Sequence, residues 1–409
     1  MASNVIYQGD VGRLRAQPRS RTLVWLRRID WILLAATAGI VILGLNVLAA
    51  GTRSDVPGNP SYWLTRQEIF FVLGAGAMVA ATLVRPTVYR RFQWPLALGT
   101  LGLIGVVLAV GPLTRGSHRW ITVGPFQLQP SELGKLVLVL GLAAFLADRR
   151  DMIGEWRTTV LALVYAGIAA LLVFQEPDLG TALVYGATAL GIMWIAGTKV
   201  IHFAVVFAAL ASAVVLIFGV LPAAGVNIVK PYQTARLTAF LHPDQKITKA
   251  GYNQFQSRVA VGSGGIAGRG PAQATQANDN FLPEHRTDFI FAVLGEQRGF
   301  IGAALLLGLY LIILWRAIRA VTLASTFYES TVAGGIAVTF LFSVFVNVGM
   351  TIGIAPVTGI PLPLMSYGGS SIIVAMASIG VLQAIQLRGR LPREATFSGG
   401  SGGRRSTAP

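Results

Sequence analysis

The sequence predicts an all-α polytopic membrane protein of about ten transmembrane helices, with one long extracellular loop containing short helices. Three observations carry this. The 409-residue chain is 54% hydrophobic and 12% charged, with a mean hydropathy of +0.63. A soluble domain carries about 25% charged residues. Its apolar residues fall in runs of the roughly 20 needed to cross about 30 Å of hydrocarbon. Its Lys and Arg sit in short connections between those runs, the pattern of membrane topogenesis. A soluble chain of this length would hold two or three domains, whereas a membrane bundle is one.

Taken in order, residues 1–28 are polar and basic and enter the first apolar run without a small-residue cleavage site. They read as an uncleaved cytoplasmic tail rather than a signal peptide. Spans are predicted at about 30–51, 67–85, 94–113, 130–148, 158–174, 179–197, 200–222, 297–316, 329–354 and 365–387. Only Gln175-Glu176-Pro177-Asp178 separates the fifth and sixth, which implies a tight antiparallel hairpin. The membrane domain thus runs over 29–389, with its large loop at about 223–296. Residues 390–409 are rich in Gly and Ser and read as a disordered tail. No internal repeat is evident, so the inverted-repeat signature of many transporters is missing.

Ten spans put both termini on one side. The termini and the connections on their side hold 20 Lys and Arg. The opposite connections hold 12, of which eight lie in or just beyond residues 223–296. Loops longer than about 60 residues do not follow the positive-inside rule. The comparison is then 20 against 4, which predicts cytoplasmic termini and an outward-facing long loop.

Composition also excludes whole classes. The formal charge of +16 is dispersed, with no basic stripe interleaved with aromatics, so nucleic acid is not an expected partner. With no cysteines, disulfides, thiolate metal sites and cysteine nucleophiles are ruled out. The four histidines show no metal-ligand spacing. Gly262-Ser-Gly-Gly-Ile-Ala-Gly268 resembles a dinucleotide fingerprint but lacks the strand and βαβ unit that would make it one.

Five places remain where chemistry or an irregular backbone is expected. Asp288, in Thr287-Asp288-Phe289-Ile290-Phe291, lies where a polar stretch enters an apolar span. Partial desolvation there raises a carboxylate's pKa toward the range of a general base. In Pro130-Ser-Glu-Leu-Gly-Lys135, Glu132 and Lys135 share one helical face at the opening of a span. Such residues usually face a bundle interior or a wet cavity. They are read either as a buried ion pair that fixes packing or as a cavity wall for a phosphate or cation. Arg119-Trp120 precedes that span; Trp120 is also read as an interfacial aromatic. Arg236 is a candidate anion ligand, because a guanidinium pairs with phosphate oxygens in bidentate fashion. Residues 356–371, with three prolines and clustered small residues, predict a broken or re-entrant backbone. Such backbone is tolerated at membrane depth only when buried in protein or lining a cavity. Asn347, in the preceding span, is placed to satisfy some of its freed groups.

Together these motifs resemble the SEDS family (shape, elongation, division and sporulation), the bacterial cell-wall polymerases that include RodA and FtsW. The resemblance runs from about Arg28 to Gly389. It is carried, in order, by Arg119-Trp-Ile121, Gln129-Pro-Ser-Glu-Leu-Gly-Lys135, Glu176-Pro-Asp-Leu-Gly-Thr181, Arg236-Leu237, Gly251-Tyr-Asn-Gln-Phe-Gln-Ser257, Thr287-Asp-Phe-Ile-Phe291 and Pro361-Leu-Pro-Leu-Met-Ser-Tyr-Gly-Gly-Ser-Ser371. Asp30-Trp31 and Val357-Thr-Gly-Ile-Pro-Leu-Pro363 look more like RodA than FtsW. Two departures stand out: Gln297 follows Glu296 where relatives often have a second Glu, and His285-Arg286 precede Thr287 in an unusual order.

The resemblance implies a peptidoglycan glycosyltransferase for cell elongation and shape. It would polymerise lipid II, a disaccharide-pentapeptide on undecaprenyl pyrophosphate, at the outer face of the bacterial cytoplasmic membrane. Asp288 matches the family's essential loop aspartate, and Glu132 and Lys135 its polar cavity pair. Arg119, Trp120, Arg236, Gln256, Ser257, Ser366 and Ser370 are implied as further substrate contacts. A class B penicillin-binding protein, a transpeptidase, is the implied partner. No organic cofactor is expected; a divalent cation, Mg2+ or Mn2+, is a candidate, with Glu132 or Asp288 as its candidate ligand. The rival readings are a flippase or transporter for the lipid-linked precursor, and a scaffold. A transporter concentrates its charges near midplane on broken helices, whereas here the best carboxylate is at the surface.

Overall fold

A computed structural model describes residues 28–111, 119–123, 126–224, 240, 249–279 and 281–389. The two predicted tails, apart from Arg28, and most of the first part of the long loop, Arg236 included, lie outside the described residues. The helices are α1 (Trp31–Gly51), α2 (Tyr62–Leu83), α3 (Pro86–Arg91), α4 (Gln93–Val110), α5 (Pro130–Ala147), α6 (Trp156–Gln175), α7 (Leu179–Ala196) and α8 (Val200–Ala223). The loop then contributes α9 (Lys249–Ser263) and α10 (Thr275–Asn278), and the bundle closes with α11 (Ile290–Leu323), α12 (Phe327–Ile352) and α13 (Gly369–Gly389). Nine of the described helices are long and apolar enough to cross a membrane, and α4, over the predicted third span, is a shorter apolar helix.

Local chemistry sets many of the boundaries. Asp30 caps α1 at Leu33 N, Asp178 caps α7 at Thr181 N, and Thr326 caps α12 at Glu329 N. Pro130 opens α5 at a position where a missing N–H costs nothing. The predicted hairpin is real: three residues separate α6 from α7, which pack together. One element was not foreseen. Ile121–Val123 and Phe126–Leu128 form a two-stranded antiparallel hairpin, β1–β2, with Ile121 opposite Leu128. Strands this short carry too little alternation to be read from sequence.

The eighth span also differs from the prediction of 297–316. Helix α11 starts at Ile290 and is broken at Gly299 (φ +61°, ψ −159°). The glycine-rich turn after α9 lies directly against this break. A Cβ on Gly264 would sit 1.9 Å from Gly295 O. The close approach lets Arg269 N and Gly270 N donate to Glu296 O and Gln297 O, and Phe300 N and Ile301 N donate to Gly265 O and Ile266 O. The turn Gly264–Gly270, which continues the glycine motif, thus satisfies backbone groups that the break exposes.

Helix α5 lies at the centre, with most of its residues buried against α4, α6, α7, α12 and α13. At the other extreme, α8 buries only His202 and Phe203 near its start. The remaining exposed apolar faces suit a lipid solvent. At the start of α1, Asp30 pairs with buried Arg316 at 2.6 Å, and its backbone exchanges hydrogen bonds with Gln383 near the end of α13. The two ends of the described bundle therefore lie at one face, and the connections α1–α2, β1–β2, α6–α7, α9–α11 and α12–α13 at the other.

Candidate functional site

Residues 353–368 between α12 and α13 are irregular and largely buried, as the three prolines predict. Asn347 does what its position suggested. Its Nδ2 donates to Ile360 O at 2.7 Å and to Asp288 O at 2.9 Å. One buried amide thus ties the broken segment to the turn carrying Asp288. Ser366 adds a second tie: its hydroxyl donates to Thr287 O at 2.6 Å and accepts from Leu362 N at 2.8 Å. Tyr367 N donates to Arg286 O at 2.9 Å. Asp288 itself is partly buried. Its carboxylate lies over Gly359, where a Cβ would meet Oδ2 at 3.3 Å.

Glu132 and Lys135 form a 2.6 Å ion pair with both side chains nearly buried. They line an open cleft together with Ser343, Pro361, Pro363 and Ser371, about 480 Å³ when the solvent at its mouth is counted. The broken segment joins the two halves of the site: Gly359 lies beside the Asp288 carboxylate, close enough that a Cβ there would meet it, while Pro361 and Pro363 line the cleft.

The other predicted contacts hold the connections together. Arg119 Nε donates to Glu176 O at 2.6 Å, its Nη2 donates to Pro177 O, and Nη1 stands 3.8 Å from Asp178. Trp120 follows it, partly buried, at the start of the hairpin. Ser370 Oγ accepts from Gln129 N at 2.8 Å. Ser257 is buried and donates to Thr351 O, whereas Gln256 is partly exposed and donates to Tyr252 OH. Among the described residues no three His, Asp or Glu side chains converge as a metal cluster, and Glu132 Oε1 is engaged by Lys135.

Two groups of this face belong to the Glu176–Thr181 motif but were given no role from sequence. Asp178 accepts from Gln129 Nε2, Thr181 N and Thr181 Oγ1. Beside it Glu176 is 1% exposed, and neither carboxyl oxygen has a hydrogen-bond partner among the described residues. Burial first, and then the Asp178 charge, push Glu176 up to about 8, against opposing pulls from Ser131 and Arg119. The folded state therefore keeps a proton that the unfolded chain releases above about 4.5. Stability should fall as pH rises from there and level off above about 8. Glu176→Gln is expected to remove that slope and raise Tm at neutral pH, read by thermal unfolding across pH. An unchanged slope would mean that Glu176 is ionised in the fold.

Known proteins place this architecture. The FtsW/RodA/SpoVE family model, described as "Cell cycle protein", matches residues 25–390. The chain is 35% identical over 364 residues to the "Probable peptidoglycan glycosyltransferase FtsW" of Tolumonas auensis, covering 88% of this chain and 92% of the relative. It is 34% identical to the "Peptidoglycan glycosyltransferase MrdB" of Escherichia coli K12, covering 87% and 94%. A solved chain from "Structural coordination of polymerization and crosslinking by a peptidoglycan synthase complex" superposes with a TM-score of 0.75 at 29% identity, covering 89% of this chain and 99% of that one. The rod shape determining protein RodA of Thermus thermophilus superposes with a TM-score of 0.65 at 28% identity, covering 89% and 98%. With nine membrane-length apolar helices among the described residues and a broken segment beside a polar cleft, the chain belongs to the FtsW/RodA/SpoVE family of multi-pass bacterial membrane proteins.

Proposed function

We propose that this protein is an inverting peptidoglycan glycosyltransferase that polymerises lipid II at the outer face of the cytoplasmic membrane, with Asp288 as general base. One observation carries the reading. A carboxylate is held at the rim of the bundle by the segment whose next residues wall a cleft containing a lysine. The activity follows the names of the relatives that match nearly the whole chain. The placement of this rim on the outer side rests on the 20-against-4 asymmetry of Lys and Arg.

The donor sugar is α-linked to pyrophosphate and the product is β-1,4-linked, so one displacement inverts the anomeric carbon. The acceptor O4 bonds to that carbon as its bond to the pyrophosphate oxygen breaks, and the O4 proton passes to Asp288. Glycosidases need a second, acidic carboxyl because their leaving group is poor. Pyrophosphate leaves well once its charge is neutralised, and fixed cations serve that end. Lys135 in the cleft fills that role, with Arg236 as a further anion contact, while Arg119 is engaged by the α6–α7 turn. A transpeptidase of the class B penicillin-binding type is the proposed partner, in keeping with the polymerization-and-crosslinking complex whose chain superposes on this one.

The test is polymerisation of lipid II by the purified protein, with and without the transpeptidase and with and without Mg2+ or Mn2+. Glycan strands are the expected product. Their absence under every condition, from folded protein, would favour the flippase reading. A second variant probes the rim. Gly359 has φ +79° and its missing Cβ leaves room for Asp288. Gly359→Ala is expected to cost about 1 kcal/mol of stability. It should slow polymerisation on the order of tenfold by displacing the carboxylate. Wild-type rates in that variant would show that Asp288 tolerates a shift.

A further inference from the structure

Asp55, on the α1–α2 connection, is far from Asp288 in sequence and belongs to none of the motifs above. Its side chain is only 4% exposed, in a segment that is otherwise largely solvated. It faces the turn carrying Asp288. Oδ2 accepts from Arg286 Nη1 at 3.0 Å, and Oδ1 lies 3.2 Å from His285 Nε2. Neither Asp55 Oδ1 nor His285 Nε2 has a hydrogen-bond partner among the described residues, so each is the other's ionic neighbour.

The other ring nitrogen decides what the histidine contributes. His285 Nδ1 lies 3.0 Å from Leu282 O, and a carbonyl only accepts. Nδ1 therefore carries a proton. A neutral ring would then turn the Nε2 lone pair toward a carboxylate oxygen, a repulsive contact between two buried acceptors. A proton on both nitrogens makes the contact attractive. Burial disfavours the charge on Asp55, but His285 and Arg286 together outweigh it and hold the carboxyl below its ordinary range.

Two neighbouring contacts support this arrangement, one from the start of α2 to the turn and one from the α1–α2 connection to α10. The Arg286 guanidinium stacks 4.0 Å above the Trp63 ring, and Trp63 meets Tyr367 edge to face at 5.0 Å. Ser54 Oγ donates to Asn278 O at 2.7 Å. From His285 to Asp288 the chain is a tight turn, in which Thr287 N, Asp288 N and Phe289 N all point to Glu284 O. A turn this short transmits the position of His285 to Asp288.

We propose that Asp55, acting through His285 and Arg286, is a positioning residue for Asp288, so that the α1–α2 connection is a working part of the active site. The proposal rests on the reading of Asp288 as the reacting carboxylate. The broken segment holds the turn from one side through Asn347, Ser366 and Gly359. Asp55 and Trp63 hold it from the other. The unusual His285-Arg286 order puts both side chains of the turn on one carboxylate.

The test uses the full chain purified in lipid nanodiscs, with lipid II as substrate and hydrogen exchange measured on the same samples. Asp55→Asn and His285→Gln are each expected to lower kcat on the order of 10²-fold. KM should stay within about twofold of wild type, the pattern of an interaction needed only in the transition state. Asp55→Glu should recover most of the rate. Exchange should quicken in the peptide over residues 281–289 and stay unchanged in α5. Wild-type kcat in both variants would overturn the proposal. So would exchange that quickens in α5 as much as in the turn, which would make Asp55 merely structural. If wild type made no glycan, the functional reading would fall instead, while exchange would still report whether Asp55 holds the turn.

Discussion

Asp288→Asn should lose polymerisation by about 10²- to 10⁴-fold, the usual contribution of a general base, while the bundle stays folded. The carboxamide has nearly the shape of the carboxylate but cannot accept the O4 proton. The backbone ties of the turn, from Asn347 Nδ2 to Asp288 O and from Ser366 Oγ to Thr287 O, do not involve the replaced group. Tm should therefore change little. Glycan length by gel and Tm by thermal unfolding, on one preparation, separate the two effects. Retention of more than about a tenth of the wild-type rate would remove Asp288 from the base role.

The Glu132–Lys135 pair should give the second-largest effect, and its two readings predict different outcomes. Either single replacement leaves an unpaired charge inside the bundle and should cost about 3–5 kcal/mol. Instability of the single variants therefore discriminates nothing. The double variant Glu132→Leu with Lys135→Met does discriminate. It replaces a 2.6 Å buried ion pair by apolar groups among the apolar neighbours Leu136 and Val139. Such exchanges are often neutral or stabilising. It should thus fold with a Tm near wild type. If Lys135 offsets the charge of the departing pyrophosphate, the double variant should still polymerise about 10²- to 10³-fold more slowly. A stable double variant at full rate would make the pair architectural.

The spans were legible because crossing hydrocarbon is a demand on length and composition, both one-dimensional. The α6–α7 hairpin and the broken segment before α13 were legible for the same reason. Four residues between two apolar runs leave one geometry, and prolines in an apolar run cannot continue a helix. Asn347 was placed correctly because it was the polar group nearest the freed backbone. The break at Gly299 was missed, since a helical interior accepts a glycine at modest cost and nothing local marks it as broken. Its explanation lies in the Gly264–Gly270 turn, which supplies the missing hydrogen bonds from another part of the chain.

The candidate site divides along the same line. Asp288, Glu132 and Lys135 were visible because each is an ionisable residue in apolar surroundings, a property of the immediate sequence. That Glu132 and Lys135 meet is a consequence of helical periodicity. What surrounds them is not local. Arg119 is spent on the α6–α7 turn, Ser370 on Gln129, and Ser366 on the Asp288 turn. Asp55 and Arg286 are 231 positions apart. Glu176 looks like an ordinary loop carboxylate until packing removes its water.

By itself, then, the sequence determined which runs are long and apolar enough to span a membrane, that the backbone must break before α13, and which ionisable residues stand in apolar surroundings. These follow from the cost of placing peptide groups and charges in hydrocarbon, which each segment meets alone. Only the tertiary structure decided which connections share one face, which cations are already engaged, and what holds Asp288 over Gly359. Those outcomes depend on which buried donors and acceptors find one another, and partners hundreds of residues apart are chosen by the packing of the whole bundle.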